Sequence, residues 1–438
     1  MKSKIKIRIP DNFTCERKYA IKILLSIILD VDYDLVIDNS RDYIIHVGRK
    51  KLIVNDHFFN LYDKPSDYLK TESIPDEIPK ITNDFTPDRE LPVIFGNSDL
   101  YITEDSIICG QDIFASAFFM LTRWEEYAIQ EKDEFGRFPD HMHLSVKNNF
   151  YQRPVVNEYA EYLRNILVYL GFEDQKASGR YTIYITHDVD RIYGNSASDY
   201  MHNLLRGRDL KKSLIGLYYK TFRVNPAETF HSLMDISESM NVQSHFYFIS
   251  GGSTAYEGYY TLHSPLVNEI LIEIKKRNHI IGFHPSYCTC VDNELWSAEK
   301  RTLEVTAGVS VYEGRQHYLR FSVPHTWQIW DDNNMNFDST MGFSQLVGFR
   351  CGTGNEFPVF NVLTGTELRL REKPLIIMDS ALKKIKEIDK IHSAVSILKS
   401  SAERYNTPLT IIFHNHIMDN TIWNKLTDAY KLILNIKQ

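Results

Sequence analysis

The stretch Arg180-Tyr-Thr-Ile-Tyr-Ile-Thr-His-Asp-Val-Asp190 predicts a buried β-strand that ends in polar side chains. Its β-branched and aromatic residues favour a strand, and a histidine and two carboxylates follow them. Asp188 and Asp190 are two residues apart, so in a regular strand they would share one face. Asp also forms turns at strand ends, but two carboxylates beside His187 favour a functional site over a simple turn.

Strand and helix patterns alternate along the sequence that follows this stretch. Strands are predicted over 181–185, 244–249, 279–283, 318–321, 375–378 and 409–413. Helices are predicted between and after them, over 197–221, 227–240, 262–277, 294–307, 325–333, 393–405 and 421–436. Because this alternation favours parallel pairing, the sequence predicts an α/β barrel or an open doubly wound sheet.

The sequence before this stretch predicts a smaller α+β domain. Its strongest helical pattern spans 110–127, where Asp112 is a plausible N-cap and aromatic residues fall on one face. Arg123, Glu125 and Glu126 are most simply the solvated side of that helix, and a buried Arg–Glu pair is the alternative. The polar segment 173–179 predicts a domain boundary, which separates residues 1–172 from residues 180–438.

Composition excludes several classes of protein. The chain has 438 residues and a net charge of −7, and it has no basic tract of the kind that binds nucleic acid. Five scattered cysteines argue against a disulfide scaffold and for a reducing compartment, so we expect a cytoplasmic protein. The N-terminal residues alternate charge and isoleucine, which predicts a strand and not a signal peptide. No segment reaches the length of a membrane span.

Polar side chains recur within or just after the strands predicted in the C-terminal part. Beyond Asp188 and Asp190, this set comprises His284, His317, Arg320, Asp379 and His414. Because the loops at one rim of a parallel barrel converge on one point, we expect these side chains to lie close together. Three of them also have a simpler interpretation, in which His284 only ends a strand, His317 is a core histidine and Asp379 caps a helix.

Five segments resemble, in order, the motifs of the polysaccharide deacetylases, the NodB-homology domain of carbohydrate esterase family 4. They are Thr186-His-Asp-Val-Asp190, Gly282-Phe-His-Pro-Ser-Tyr287, Arg315-Gln-His-Tyr-Leu-Arg-Phe-Ser-Val-Pro324, Pro374-Leu-Ile-Ile-Met-Asp379 and Ile411-Ile-Phe-His414. The variant that also contains Gly348-Phe-Arg-Cys-Gly-Thr353 resembles a bacterial subgroup in which a separate N-terminal domain precedes the deacetylase domain. Residues 100–160 look similar to that N-terminal domain.

The resemblance implies a deformed (β/α) barrel that removes an acetyl group from an N-acetylated sugar with the help of a divalent metal, most simply Zn²⁺. It assigns these roles: Asp188 as general base, Asp190 and His284 as metal ligands, His414 as general acid, Arg320 as the residue that orients Asp188, and Asp379 as the residue that holds His414. The chemistry needs such residues, because an acetamide is a poor electrophile and its amine is a poor leaving group.

The sequence departs from the family pattern at one metal ligand. The second motif of the family has another histidine four residues after the first, and Cys288 stands at that position. An open zinc site needs three protein ligands, so we expect His317 to supply the third, with Cys288 as the alternative. Strand alternation would put His317 and Arg320 on opposite faces unless a bulge intervenes.

Two other functions fit the same sequence. The missing histidine is compatible with a metal-free, degenerate member of the fold that binds a glycan or acts as a scaffold. The fold is also compatible with hydrolysis of another non-peptide C–N bond, such as a cyclic amide. We expect a carbohydrate substrate from the resemblance, and no nucleic-acid partner from the charge distribution.

Overall fold

Two large β-sheets with helices packed against them form the chain, as a computed structural model shows. The structure describes residues 5–88, 90–173, 181–192, 226–257, 260–415 and 424–435. The predicted helix over 197–221 lies outside the described residues, as does all but the first residue of the predicted boundary segment 173–179. Within the described ranges the N-terminal part holds a six-stranded sheet and the C-terminal part a nine-stranded sheet.

The N-terminal sheet is mixed. The strands of this part are β1 (Ile5–Pro10), β2 (Tyr33–Asp38), β3 (Tyr43–Val47), β4 (Lys50–Val54), β5 (Lys80–Ile81), β6 (Leu91–Pro92), β7 (Gly96–Ile102) and β8 (Ser106–Gln111). The sheet order is β2-β1-β3-β4-β8-β7, while β5 and β6 pair only with each other. β1 pairs parallel with β2 and β4 pairs parallel with β8, and the other neighbours are antiparallel.

Helices cover this sheet and connect its strands. The longer ones are Thr14–Ile21, which continues as a π-helix over Lys22–Ile28, then Ile113–Thr122 and Val155–Tyr169. Single turns occur at Phe59–Leu61, Pro65–Tyr68, Thr71–Ser73, Glu125–Ala128, Asp140–Met142 and Leu144–Lys147. The predicted mixture of α and β structure in the N-terminal part is therefore observed.

The C-terminal sheet is almost entirely parallel. Its strands are β9 (Ile183–Val189), β10 (Ser244–Phe248), β11 (Ile280–Phe283), β12 (Glu313–Gly314), β13 (Phe337–Asp338), β14 (Phe357–Asn361), β15 (Thr366–Glu372), β16 (Leu375–Met378) and β17 (Leu409–Ile412). Their order is β14-β15-β13-β12-β11-β10-β9-β17-β16, and only the β14–β15 pair is antiparallel. The sheet curls into a half-barrel, so the predicted α/β architecture is confirmed for the described residues.

Helices alternate with these strands, as the sequence pattern predicts. They are Pro226–Ser239, Pro265–Lys276, Asn293–Ala307, His325–Asp332, Asp379–Leu382, Ile388–Arg404 and Asn424–Leu434, with 3₁₀ turns at Tyr287–Val291 and His317–Leu319. Because the parallel strands all run the same way, the segments that leave their carboxyl ends gather at one rim of the half-barrel.

Two predicted elements are wrong in detail. The strand predicted over 318–321 is the 3₁₀ turn His317–Leu319, in which Tyr318 and Leu319 have φ of 61° and 53°. Positive φ at both residues is incompatible with an extended strand. The helix predicted over 110–127 is interrupted at Arg123, where φ is 53°, although Asp112 does cap it by accepting a hydrogen bond from the Ala115 N–H.

The charged residues after this helix are buried, which contradicts the prediction that they form a solvated side. Glu126 accepts hydrogen bonds from Arg123 Nε at 3.0 Å and from Arg350 Nη2 at 2.6 Å. Arg123 also pairs with Glu125, and all four side chains are almost inaccessible. Burial alone raises the pKa of Glu126, but Arg350 and Arg123 lower it well below its usual value. The buried alternative is the correct one.

This ion network joins the two parts of the chain, because Arg350 lies far beyond Glu126 in sequence. Direct contacts occur elsewhere along the same junction: Tyr19 Oη donates to the Pro358 carbonyl at 2.9 Å, and the Val156 N–H donates to the Gly352 carbonyl at 2.8 Å. The buried apolar residues also form one continuous cluster across both sheets. The division into residues 1–172 and 180–438 stays a prediction.

Among the described helices, none combines the length and the apolar composition that crossing a bilayer requires.

Replacing Glu126 by Gln should destabilise the protein strongly, because two buried guanidinium groups lose their carboxylate. Removing one partner of a buried ion pair costs about 3–5 kcal/mol of unfolding free energy. Denaturant unfolding of Glu126→Gln measures this loss. The control is Lys276→Met, which removes an exposed pair with Glu273 and should cost about 0–1 kcal/mol. Similar unfolding midpoints for the two variants would contradict the structural role of this network.

Candidate metal centre

The two carboxylates of the first motif lie at the end of an interior strand, because β9 pairs with β10 on one side and with β17 on the other. Asp188 is the last but one residue of β9, and Asp190 follows the strand directly. Both carboxylates face His284: its Nε2 atom is 3.9 Å from Asp188 Oδ2 and 3.3 Å from Asp190 Oδ1. The expectation that the two acids share one face agrees with this geometry.

Three predicted metal ligands converge on one point. Asp190 Oδ1 lies 3.3 Å from His284 Nε2 and 3.8 Å from His317 Nε2. One ligand atom from each of the three side chains lies within 4.8 Å of the other two. Both imidazoles are buried, whereas the Asp190 side chain is 26% exposed.

Hydrogen bonds at the far ring nitrogens orient both imidazoles. His284 Nδ1 donates to the Arg315 carbonyl at 2.6 Å, and His317 Nδ1 donates to Glu257 Oε1 at 3.4 Å. A carbonyl oxygen accepts only, so Nδ1 of His284 carries a proton and Nε2 is left to face Asp190. Metal-binding histidines characteristically have such an acceptor behind them.

The donor set fits a divalent metal ion. Asp190 Oδ1 is inaccessible to solvent and has no hydrogen-bond partner of acceptable geometry among the described residues. An acceptor left in this state beside two imidazole nitrogens is explained by a cation that all three bind. One carboxylate and two imidazoles also match the three protein ligands of an open zinc site.

Cys288, the alternative third ligand, lies outside this group. Cys288 is exposed and lies in the 3₁₀ turn Tyr287–Val291. It does not belong to the cluster of Asp190, His284 and His317. His317 reaches the cluster because the chain turns sharply there instead of continuing as a strand. The predicted conflict between opposite strand faces therefore does not arise.

His414 and Asp379 form a hydrogen-bonded pair beside the cluster, as predicted. His414 Nδ1 donates to Asp379 Oδ1 at 2.7 Å, and the His414 backbone N–H donates to Asp379 Oδ2 at 2.9 Å. The other ring nitrogen, Nε2, lies 3.4 Å from Asp190 Oδ2. Asp379 is the first residue of the helix Asp379–Leu382 and not its N-cap, which is Met378.

The charges in the cluster shift the pKa values of its members. Burial lowers the pKa of His414, but Asp379 and Asp190 raise it well above its usual value. Burial raises the pKa of Asp190, but the nearby imidazoles of His284 and His414 outweigh this effect and hold it well below its usual value. Asp379 and Asp190 therefore favour the imidazolium form of His414, and the histidines favour the ionised form of Asp190.

The predicted partner of Asp188 is wrong, because Arg315 and not Arg320 contacts it. Arg315 Nη1 donates to Asp188 Oδ1 at 2.7 Å, and the same guanidinium donates to the Ser339 carbonyl and hydroxyl. Arg320 instead donates to the Tyr287 carbonyl at 2.8 Å, and its guanidinium carbon lies 4.3 Å from the centre of the Tyr287 ring. The turn at 317–319 carries Arg320 away from Asp188.

The roles of two residues of the site were not predicted from the sequence, for different reasons. Arg315 follows β12 directly, so the rule that polar residues follow strands would have found it if the two-residue strand had been recognised. Glu257 lies in the loop after β10, nine residues beyond Phe248, and no local pattern marks it. Only the fold brings its carboxylate to His317.

His187 belongs to the core and not to the cluster. Its Nδ1 lies 2.6 Å from the Phe413 carbonyl, its Nε2 lies 3.3 Å from Ser244 Oγ, and its ring stacks on Phe246. Burial lowers the pKa of His187 to about 4, so it is neutral at ordinary pH. Alternation along β9 explains why His187 and Asp188 face opposite sides of the sheet.

Comparison with protein families matches residues 5–171 to a family of unknown function, DUF7033. No curated protein sequence matches the chain.

Solved structures with similar folds are polysaccharide deacetylases and their relatives. A proposed polysaccharide deacetylase from Mycobacterium smegmatis is 14% identical, with a TM-score of 0.40 over 60% of this chain and 87% of its own. A pseudoenzyme of carbohydrate esterase family 4 from Bacillus anthracis is 10% identical, with a TM-score of 0.30 over 58% and 60%. A family 4 carbohydrate esterase from Streptomyces lividans, solved with acetate, is 9% identical, with a TM-score of 0.29 over 59% and 87%.

Replacing His317 by Ala should abolish stoichiometric binding of Zn²⁺, whereas Cys288→Ala should leave it unchanged. Loss of an outer partner of a metal ligand lowers affinity by about 10–100-fold, and loss of the ligand itself should cost more. Titration calorimetry of both variants against the unmodified chain measures the difference. If Cys288→Ala lost the ion and His317→Ala kept it, the assignment of the third ligand would be reversed.

Proposed function

We propose that this protein is a metal-dependent hydrolase that removes the acetyl group from an N-acetylated sugar or polysaccharide precursor. The observation that carries this proposal is the convergence of Asp190, His284 and His317, with a second carboxylate and a further histidine beside them. The resemblance of the five motifs supports the choice of an acetylated sugar.

Asp190, His284 and His317 would hold the ion, which we propose is Zn²⁺. When bound, such an ion polarises the carbonyl of the acetamide and lowers the pKa of the attacking water. The Arg315 carbonyl and the Glu257 carboxylate accept hydrogen bonds from Nδ1 of His284 and of His317, so they hold two of the three ligands in place. A fixed donor set needs no rearrangement when substrate arrives.

Asp188 is placed to accept the proton of the attacking water. Arg315 holds Asp188 Oδ1, and the other carboxylate oxygen, Oδ2, faces His284 Nε2 at 3.9 Å and therefore borders the ion site. The guanidinium is itself fixed by Ser339 and lies 5.0 Å from the centre of the Tyr247 ring. Arg315 thus takes the orienting role that the family resemblance implied for Arg320.

His414 is placed to protonate the departing amine. Its Nδ1 is held by Asp379, which leaves Nε2 to point toward Asp190 at 3.4 Å. Asp188 and His414 therefore approach the cluster from different strands, β9 and the end of β17. One group that takes a proton and another that gives one are what amide hydrolysis requires.

The three donors favour this enzyme over the metal-free alternative. That alternative rested on Cys288 replacing a histidine, and His317 offers an imidazole nitrogen at the same centre.

All five cysteines are free, which supports our proposal of a reducing, cytoplasmic environment. We also propose a functional division near residue 172, and the DUF7033 match over residues 5–171 supports it.

Replacing Asp188 by Asn should leave Zn²⁺ bound and lower kcat for deacetylation by about 10²–10⁴-fold, as expected for loss of a general base. Metal analysis and an assay of released acetate measure the two effects on the same preparation. The matched control, Asp332→Asn, makes the same change on an exposed helix position and should keep full activity. Retained turnover in Asp188→Asn would contradict the assignment of the base.

The unmodified chain provides the test of the reaction class. Acetate release from acetylated sugars should depend on added Zn²⁺ after treatment with a chelator. Cyclic amides should not undergo ring opening under the same conditions, as measured by loss of the cyclic amide. A chain that binds no stoichiometric ion after reconstitution would contradict the enzyme assignment.

A further inference from the structure

Two buried carboxyl groups, those of Asp338 and Glu372, lie side by side at the rim of the half-barrel. They belong to the last residues of β13 and β15, which are register partners in that parallel pair, and both residues are fully buried. The two groups hydrogen-bond to each other, which accounts for Asp338 Oδ2, an inaccessible atom without an N–H donor among the described residues. Because an ionised carboxylate only accepts, this bond requires a proton on one of the two groups.

The other three oxygens of this carboxyl pair have donors of their own. Asp338 Oδ1 accepts from the Thr340 N–H at 3.1 Å and from the Thr340 hydroxyl at 2.5 Å. Glu372 Oε1 accepts from the Met341 N–H at 2.9 Å, and Glu372 Oε2 accepts from Trp327 Nε1 at 3.0 Å. The carboxyl pair therefore fixes the backbone of residues 338–341 at two successive N–H groups.

The 338–341 segment in turn holds Arg315, the residue that contacts the proposed base. Arg315 Nε donates to the Ser339 carbonyl at 2.7 Å, and Arg315 Nη2 donates to the Ser339 hydroxyl at 2.9 Å. The N–H of Gln316 donates to the Thr340 hydroxyl at 3.0 Å, and that hydroxyl donates to the carboxyl pair. A continuous chain of hydrogen bonds thus connects the carboxyl pair with Arg315.

The surroundings of the carboxyl pair favour one shared proton. Burial raises the pKa of both groups, and the charge of Asp338 raises that of Glu372 further. From the neighbouring segments the pair interacts with the Arg315 guanidinium and with the Cys351 thiol, whose pKa burial raises, so that the thiol stays neutral. Loss of the shared proton would add a second negative charge, which would compete with Asp188 for the guanidinium.

From this arrangement we propose that Asp338 and Glu372 are positioning residues for the base, because one shared proton keeps the 338–341 segment rigid and so aims Arg315 at Asp188. The effect on turnover rests on the function proposed above, whereas the shared proton does not. Two ionised carboxylates at this distance would repel each other and loosen the segment. A displacement of about 1 Å in a group that positions the reacting atoms can cost about 10²-fold in rate.

Asp338→Asn tests the carboxyl pair, because its amide nitrogen can donate to Glu372 without an added proton while its amide oxygen keeps the two donors of Thr340. It should keep kcat for deacetylation within about twofold, whereas Asp338→Ala should lower kcat by about 10²-fold and leave KM and bound Zn²⁺ unchanged. Acetate release and metal analysis measure these effects. Asp332→Asn and Asp332→Ala make the same changes at an exposed helix position and should alter neither.

Unfolding at different pH values gives a readout that does not depend on turnover. A carboxyl group whose pKa is raised by folding contributes stability at low pH, and this contribution is lost as the pH rises toward the raised pKa. Asp338→Asn needs no shared proton, so its unfolding temperature should exceed that of the unmodified chain by more at about pH 8 than at about pH 5. An equal difference at both pH values would overturn the shared proton.

Equal losses of kcat in Asp338→Asn and Asp338→Ala, or no loss in either, would overturn the positioning role. If Asp338→Ala does not fold, Thr340→Val takes its place, because it removes the hydroxyl that links Gln316 to the carboxyl pair. Unchanged kcat in Thr340→Val would then overturn the positioning role. If the unmodified chain releases no acetate, the proposed reaction is wrong, and a stability gain of Asp338→Asn that grows with pH would still support the shared proton.

Discussion

The parallel pairing of β9 with both β10 and β17 is the constraint on which the candidate site depends. It places β9 inside the sheet, the third strand from one edge, so Asp188 and Asp190 are flanked by loops from both sides. His284 follows β11, two strands away, and His414 follows β17, the immediate neighbour. A change of register in β9 by one residue would turn His187 toward the cluster and Asp188 toward the core.

The sequence predicted those parts of the site that depend on strand periodicity. Asp188, Asp190, His284 and His414 each stand at or just beyond the end of an apolar strand, and the structure brings them together. The role of orienting Asp188 was assigned wrongly to Arg320. Tyr318 and Leu319 have positive φ, and neither is a residue type from which a turn would be predicted.

Pairs of charged side chains that are distant in the sequence could not be predicted either. We predicted that Arg123 and Glu126 are solvated. Arg350, which binds Glu126 in the structure, is 224 residues away from it in the sequence. Glu257 was missed for the same reason, since only the fold brings its carboxylate to His317. In both cases a charged side chain is buried because a distant segment compensates it, and periodicity within one element carries no information about that segment.

Anomalous diffraction at the zinc edge, from crystals of the full chain grown with Zn²⁺, tests the central claim most directly. The account predicts a single strong peak bounded by Asp190 Oδ1, His284 Nε2 and His317 Nε2, with Asp188 close to it but not bound. A peak at Cys288, or no peak within ligand distance of Asp190, would contradict the account.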